Sequence, residues 1–217
     1  MSAGTDGAIR GEAGPILTRA QALALLDRYS KPSESWPLHC RQVAKVARTL
    51  AEALAARGAK MDPVLAEAQA LLHDIGRSLT HGPLHGWTGF VLVRSHGHAR
   101  EARGCLTHWL KGREPDELLL GGRLKEGFIR RTYRHFEDDP WCLQDSVMSL
   151  ADSCVANTTI VTLAERHADL VVRYGASAWL RRAEELAERH AAEIGAALGF
   201  RAEDLLAPLH GDRLDSR

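Results

Sequence analysis

The chain lacks several things at once. It has no run of about 18 apolar residues, so no transmembrane helix is expected. Its first residues, MSAGTDGAIRGEAGP, contain no apolar stretch of the kind a secretory signal needs; a cytoplasmic location is the expectation. Net charge is absent: 28 basic residues balance 28 acidic ones. That removes the electrostatic argument for a dedicated nucleic-acid or membrane-surface binder. Aromatics are only 6%, and no hairpin dipeptide separates alternating runs, so strand signals are weak. The four cysteines (Cys40, Cys105, Cys142, Cys154) form no C-x-x-C pair. Each sits beside apolar residues, which predicts buried free thiols rather than disulfides or zinc thiolates.

What is plentiful is histidine. Of 11 in all, six (His73, His81, His85, His96, His98, His108) crowd between His73 and His108. Imidazole is the commonest metal ligand and the side chain that titrates near neutral pH.

The hydrophobic period is helical almost throughout. A first helix runs over Leu17 to Leu26. Ser35 is placed to cap a second, whose apolar face follows His39, Val43, Val46, Ala47, Leu50 and Leu54. Asp62-Pro63 opens a third helix, read from Val64 to Asp74 and apolar on most sides, hence central. Further helices are expected over 85–96, 99–110, 144–157, 159–173 and 176–198, with a last turn over 202–206. Residues 111–139, rich in Gly and Pro, read as an irregular segment. The expectation is one all-α domain over 17–206, with a disordered lead-in (1–16) and a tail (207–217).

The sharpest local signal is Leu71-Leu72-His73-Asp74-Ile75-Gly76. A carboxylate at the end of an apolar helix is strongly disfavoured unless it is paired, hydrogen-bonded or bound to a metal. His39 lies on the apolar stripe of its own helix. Asp152 shares a face with Met148 and Val155, His85 with Gly89 and Leu92, and His108 with Cys105. Five helices each aim ligand-type groups inward, and one shared divalent cation would remove all the burial penalties together. The set His39, His73, Asp74, Asp152, His85 and His108 contains no thiolate. It suits Mn, Fe, Co, Ni, Mg or catalytic Zn, as one ion or as two with Asp74 bridging.

His39, His73-Asp74 and Asp152 together resemble the pattern of the HD-domain superfamily of metal-dependent phosphohydrolases. Leu71 to Arg77 resembles its most specific stretch. Thr80-His81-Gly82, His85-x-x-x-Gly89 and Arg173-Tyr174-Gly175 resemble a subgroup of short, stand-alone, uncharacterised members. His85 and His108 resemble the two extra ligands of binuclear members, although Trp109 stands where many of those carry a second consecutive His and no Gly-Tyr-Pro signature follows. The resemblance implies an all-α HD bundle. It implies a metal-activated water attacking a small phosphorylated substrate, with Arg77 near the phosphate. His81 is then an acid, ligand or surface candidate. A di-iron oxygenase on the same ligand set is the alternative, and a non-catalytic nucleotide-sensing module is a third reading. The basic cluster Arg130-Arg131-Thr132-Tyr133-Arg134-His135 reads first as a solvated helix face, with a phosphate anchor over the pocket as the alternative. Trp87, Trp109, Trp141 and Trp179 read as packing groups, with pocket lining as the alternative for Trp87 and Trp109, which lie next to proposed ligands. His96, His98, His167, His190 and His210 read as surface residues.

Overall fold

The computed structural model describes residues 14–121 and 124–215; most of the expected lead-in and Gly122 lie outside them. The described chain is all-α apart from one short hairpin. Its helices are α1 (Arg19–Tyr29), α2 (Trp36–Ala56), α3 (Pro63–Leu72), α4 (His85–Ser95), α5 (Ala99–Leu110) and α6 (Pro115–Leu120). They continue as α7 (Glu126–Tyr133), α8 (Leu143–Ser153), α9 (Leu163–Tyr174), α10 (Ala178–Leu198) and α11 (Ala202–Leu206). Among the described residues, no helix is long and apolar enough to cross a membrane.

Local chemistry explains the helix starts. Thr18 and Gln21 form a reciprocal capping box before α1, which moves its start two residues past Leu17. Asp62 Oδ1 accepts from the Val64 and Leu65 amides at 3.0 and 3.1 Å, and Pro63 follows at N1. Ser35 precedes α2 without a side-chain cap bond. Helix α3 is the hub, as its all-round apolar sequence predicts. It packs on α1, α2, α5 and α8, and Leu71 and Leu72 are fully buried.

Four readings need correction, one of them the helix expected over 159–173, which starts only at Leu163 because Thr159–Ile160 is a strand. Helix α3 stops at Leu72 rather than Asp74: His73 and Asp74 lie in a turn leading to a 3-10 segment, Ile75–Ser78. The expected helix over 144–157 ends at Ser153. Val155–Ala156 then pairs antiparallel with Thr159–Ile160, around Asn157 at φ 55°. Asparagine tolerates that left-handed conformation, and the β-branched residues flanking it suit strands. The 111–139 segment holds α6, α7 and a 3-10 turn rather than irregular chain alone.

Two backbones meet where the site is built. A Cβ on Gly76 would lie 2.0 Å from the His85 carbonyl oxygen and 2.5 Å from the Gly89 nitrogen. Only glycine permits that approach, and it seats α4 directly on the turn that carries Asp74.

Candidate metal centre

All six expected ligands converge. His39 comes from α2, His73 and Asp74 from the end of α3, His85 from α4, His108 from α5 and Asp152 from α8. His73 is fully buried, and Asp74, His108 and Asp152 are nearly so.

The four imidazoles share one orientation. Nδ1 of His39 lies 2.7 Å from the Asn157 carbonyl oxygen, and Nδ1 of His73 2.7 Å from that of Ala70. Nδ1 of His85 lies 3.0 Å from the Gly82 carbonyl oxygen, and Nδ1 of His108 3.2 Å from that of Gly104. A carbonyl only accepts, so each Nδ1 carries the proton and donates it. In a neutral ring of this orientation Nε2 is left with a lone pair, and all four Nε2 atoms point inward. This is the arrangement that fixes a metal-binding tautomer. The hairpin that the sequence did not reveal supplies one of these acceptors, Asn157.

The carboxylates divide the centre in two. Asp152 Oδ1 lies 3.1 Å from His39 Nε2 and 3.7 Å from His73 Nε2. Asp74 Oδ1 lies 3.3 Å from His85 Nε2 and 3.4 Å from His108 Nε2, while its Oδ2 is 3.7 Å from His73 Nε2. The Nε2 atoms of His85 and His108 face each other at 3.2 Å. With both Nδ1 protons committed to backbone, that contact sets lone pair against lone pair beside a carboxylate. Buried His73 Nε2 and Asp74 Oδ1 have no hydrogen-bond partner. Unpaired buried acceptors are costly, and a cation between them satisfies them all. The residues therefore fit a metal. His39, His73 and Asp152 could hold one ion; His73, Asp74 and His108 could hold another, with His85 beside them.

Protonation follows from burial. Desolvation lowers the His73 imidazole to about 3 and that of His85 to about 4, so both are neutral bases at pH 7. Burial works against the Asp74 carboxylate, but neighbouring positive charge, of which the Arg77 guanidinium is the permanent part, holds it well below its usual range. Burial likewise opposes Asp152, and Lys111 leads the groups that keep it ionised.

Of the other candidates, Arg77 Nε donates to Asp74 Oδ2 at 2.5 Å. His81 stands apart on the exposed rim, its Nε2 4.0 Å from Glu34 Oε1. Lys111 was not among the expected residues, yet its ammonium donates to Asp152 Oδ2 at 2.8 Å and Ser153 Oγ at 3.1 Å. It sits past the end of α5 at φ 55°, a conformation few non-glycine residues adopt. The only sequence signal was a Lys-Gly pair closing a helix that ends on a ligand.

Two surface assignments also change. His190 is buried, stacked on Trp141 at 5.4 Å, with neither ring nitrogen partnered. Its helix turns that face onto α8, where α10 packs. Cys142 is exposed at the start of α8, which corrects its expected burial, whereas Cys40, Cys105 and Cys154 are buried free thiols. The Arg130, Arg131 and Arg134 side chains are exposed, as expected of a solvated face.

The centre opens into a cleft with two lobes of about 400 Å³ each. His39, Asp74, Arg77 and, from α9, Arg166 and Leu170 line both. Ser35, His81, Arg173 and Tyr174 add to the polar lobe; Trp109, Leu118, Leu124 and Trp179 add to the apolar one.

Comparison with known proteins agrees with this geometry. The HD domain family matches residues 38–157, more than half of the chain and a span that includes all six converging residues. An uncharacterized protein of Methanocaldococcus jannaschii is 43% identical over 65 residues, covering 30% of this chain. The match spans only 38% of that protein's length. No solved structure matches significantly. The chain belongs to the HD-domain family, an all-α fold of metal-dependent hydrolase type.

Proposed function

We infer that this protein is a metal-dependent phosphohydrolase that cleaves a phosphomonoester or phosphodiester of a small metabolite or nucleotide. The observation that carries the reading is the convergence of four Nε2 atoms on Asp74 and Asp152, with buried His73 Nε2 and Asp74 Oδ1 left without a hydrogen-bond partner. His39, His73 and Asp152 would hold one divalent cation. Asp74, His85 and His108 would hold a second, with Asp74 within reach of both halves. A divalent cation held there supplies Lewis acidity and an activated water.

The remaining chemistry falls to the chain's own residues. Backbone carbonyls lock each imidazole by its Nδ1 proton, so the rings need no reorganisation. Lys111 fixes Asp152 through one oxygen and leaves the other facing His39 and His73. Arg77, anchored on Asp74, presents positive charge to the transferring phosphoryl group. His81 on the rim is the candidate proton donor to a leaving alkoxide. A chain without net charge suits a small anion better than a long polyanion.

The test is direct. Protein stripped of metal and reloaded with Mn or Fe should release phosphate from members of a broad panel of phosphate esters, and His73→Ala should lose both bound metal and activity. No hydrolysis across the panel overturns the reading. Oxygen uptake with an iron chromophore would favour the di-iron oxygenase instead. Tight nucleotide binding without turnover would favour a sensing module.

A further inference from the structure

The apolar lobe opens directly on the centre, reaching His39 and Asp152 as well as Asp74, His85 and His108. Its walls come from elements the metal does not use: Leu118 from α6, Leu124 ahead of α7, and Trp179 and Leu180 from α10. Trp109, next to His108, closes the inner side.

Both indoles are fixed in place. Trp109 Nε1 donates to the Pro83 carbonyl at 2.7 Å. A Cβ on Gly86 would stand 2.5 Å from Trp109 Cβ, so the helix backbone itself braces that side chain. Trp179 carries the Arg113 guanidinium over its ring at 3.8 Å from the centroid, and Arg113 also donates to the Trp179 carbonyl at 3.1 Å. Arg113 is buried, and burial lowers it to about 10. The cost of burying that guanidinium is offset in part by the Leu110 and Trp179 carbonyls and by the indole face, which ties Arg113 and Trp179 together. Trp179 is nonetheless 38% exposed: it is braced from within yet remains open to the cleft. Two immobilised aromatic surfaces beside an anion-binding centre form a stacking site that has already lost its conformational freedom.

We propose that this lobe is the subsite for the organic part of the substrate, and that it selects phosphate esters carrying an aromatic or apolar group over polyol phosphates. The assignment rests on the phosphohydrolase reading and deepens it. Lys111, Arg113 and Arg166 also line the lobe, but each is already paired, with Asp152, the Trp179 carbonyl and Asp169. A sugar or glycerol moiety placed here would set most of its hydroxyls against indole and leucine side chains. An aryl group would stack on Trp179 while its phosphate faces Arg77 and Arg166.

Two measurements on the metal-loaded full chain test this. The first compares hydrolysis of 2-phenylethyl phosphate with that of glycerol 3-phosphate, whose leaving alkoxides are similar in basicity. The expected kcat/KM ratio favours the aryl ester by at least about tenfold. In Trp179→Ala that preference should collapse, mainly through KM. The second measurement needs no turnover: calorimetric binding of benzylphosphonate against methylphosphonate. The benzyl compound should bind about tenfold tighter, and Trp179→Ala should erase the difference. Equal binding of the two phosphonates, or a preference that survives Trp179→Ala, overturns the subsite. If no ester of the broad panel is cleaved but benzylphosphonate binds selectively, the phosphohydrolase reading fails while the aromatic subsite stands.

Discussion

Helix α3 carries the turn that brings Asp74 to the cleft, α9 lines the cleft itself, and the two are built in opposite ways. Seven of the ten residues of α3 are buried, and the helix is gripped by four neighbours. Helix α9 spans 12 residues, none of which is buried. Its Val172 and Tyr174 are 86% and 72% exposed. Yet α9 supplies Arg166 and Leu170 to both lobes. The difference separates two tasks. Metal ligands must be held to a fraction of an ångström, which needs a close-packed support. The wall that meets a substrate must admit and release it, which suits an element of low local stability.

The largest expected effect lies on the rigid side. Asp74 is the one carboxylate with an oxygen toward each half of the centre. Asp74→Asn keeps the shape and removes the charge. Metal content by mass spectrometry should fall for both ions, with hydrolysis reduced at least about 10³-fold. A variant that loses only one ion would show that Asp74 serves one half alone.

The next test compares the two helices by equivalent truncation. Leu71→Ala in α3 removes a fully buried side chain from a support that cannot collapse around the void. It should cost about 2–5 kcal/mol, lowering Tm by at least about 5 °C. Leu170→Ala in α9 touches a half-buried side chain and should cost less than about 1 kcal/mol. Its effect should instead appear in KM. Comparable losses of Tm for both variants would erase the distinction drawn between the helices.

The same contrast explains what the sequence revealed. Helix α3 and the buried face of α2 were legible because close packing imposes a strict apolar period, and an inward His or Asp stands out against it. His39, His73, Asp74, His85, His108 and Asp152 were all visible in that way. The orientation of the rings was not, because it depends on carbonyls such as those of Ala70 and Asn157, which every residue possesses. Lys111 escaped because a cation at a helix end has an ordinary explanation. The apolar lobe escaped because Trp179 and Leu118 are distant in sequence and meet only through the packing of α6 against α10. His190 was misread from its charged neighbours, Arg189 and Glu188, whereas its own helical face pairs it with Leu186 and Ile194.

His190 marks the point where α10 passes from the cleft, lined by Trp179 and Leu180, into the core. Burial lowers its imidazole to about 3, against about 6.5 when unfolded. Above pH 6.5 both states are neutral there and the contribution to stability is complete. Below it the unfolded chain takes up a proton that the folded chain refuses, so stability falls until pH approaches 3. The slope for one proton is about 1.4 kcal/mol per pH unit. His190→Phe keeps the stack on Trp141 and removes the titration. Denaturant melts of the metal-loaded proteins should show the variant gaining ~2 kcal/mol over wild type between pH 8 and pH 5. Parallel pH profiles would mean that His190 finds a partner in solution.

The smallest effect belongs to α9 and is the most selective. Thr162 Oγ1 accepts from the Glu165 amide at 3.2 Å, and Glu165 Oε2 accepts from the Thr162 amide at 2.9 Å. This capping box compensates locally for the absence of buried residues along the helix. Thr162→Ala should cost about 1 kcal/mol. Because α9 opens on its own in this account, the loss should not pass to the whole molecule. Amide exchange over α9 should accelerate about fivefold, with α3 amides and Tm unchanged. If instead Tm falls and exchange rises uniformly, α9 unfolds only with the core. The cleft wall would then be as rigid as the metal support, and substrate would have to enter through a fixed opening.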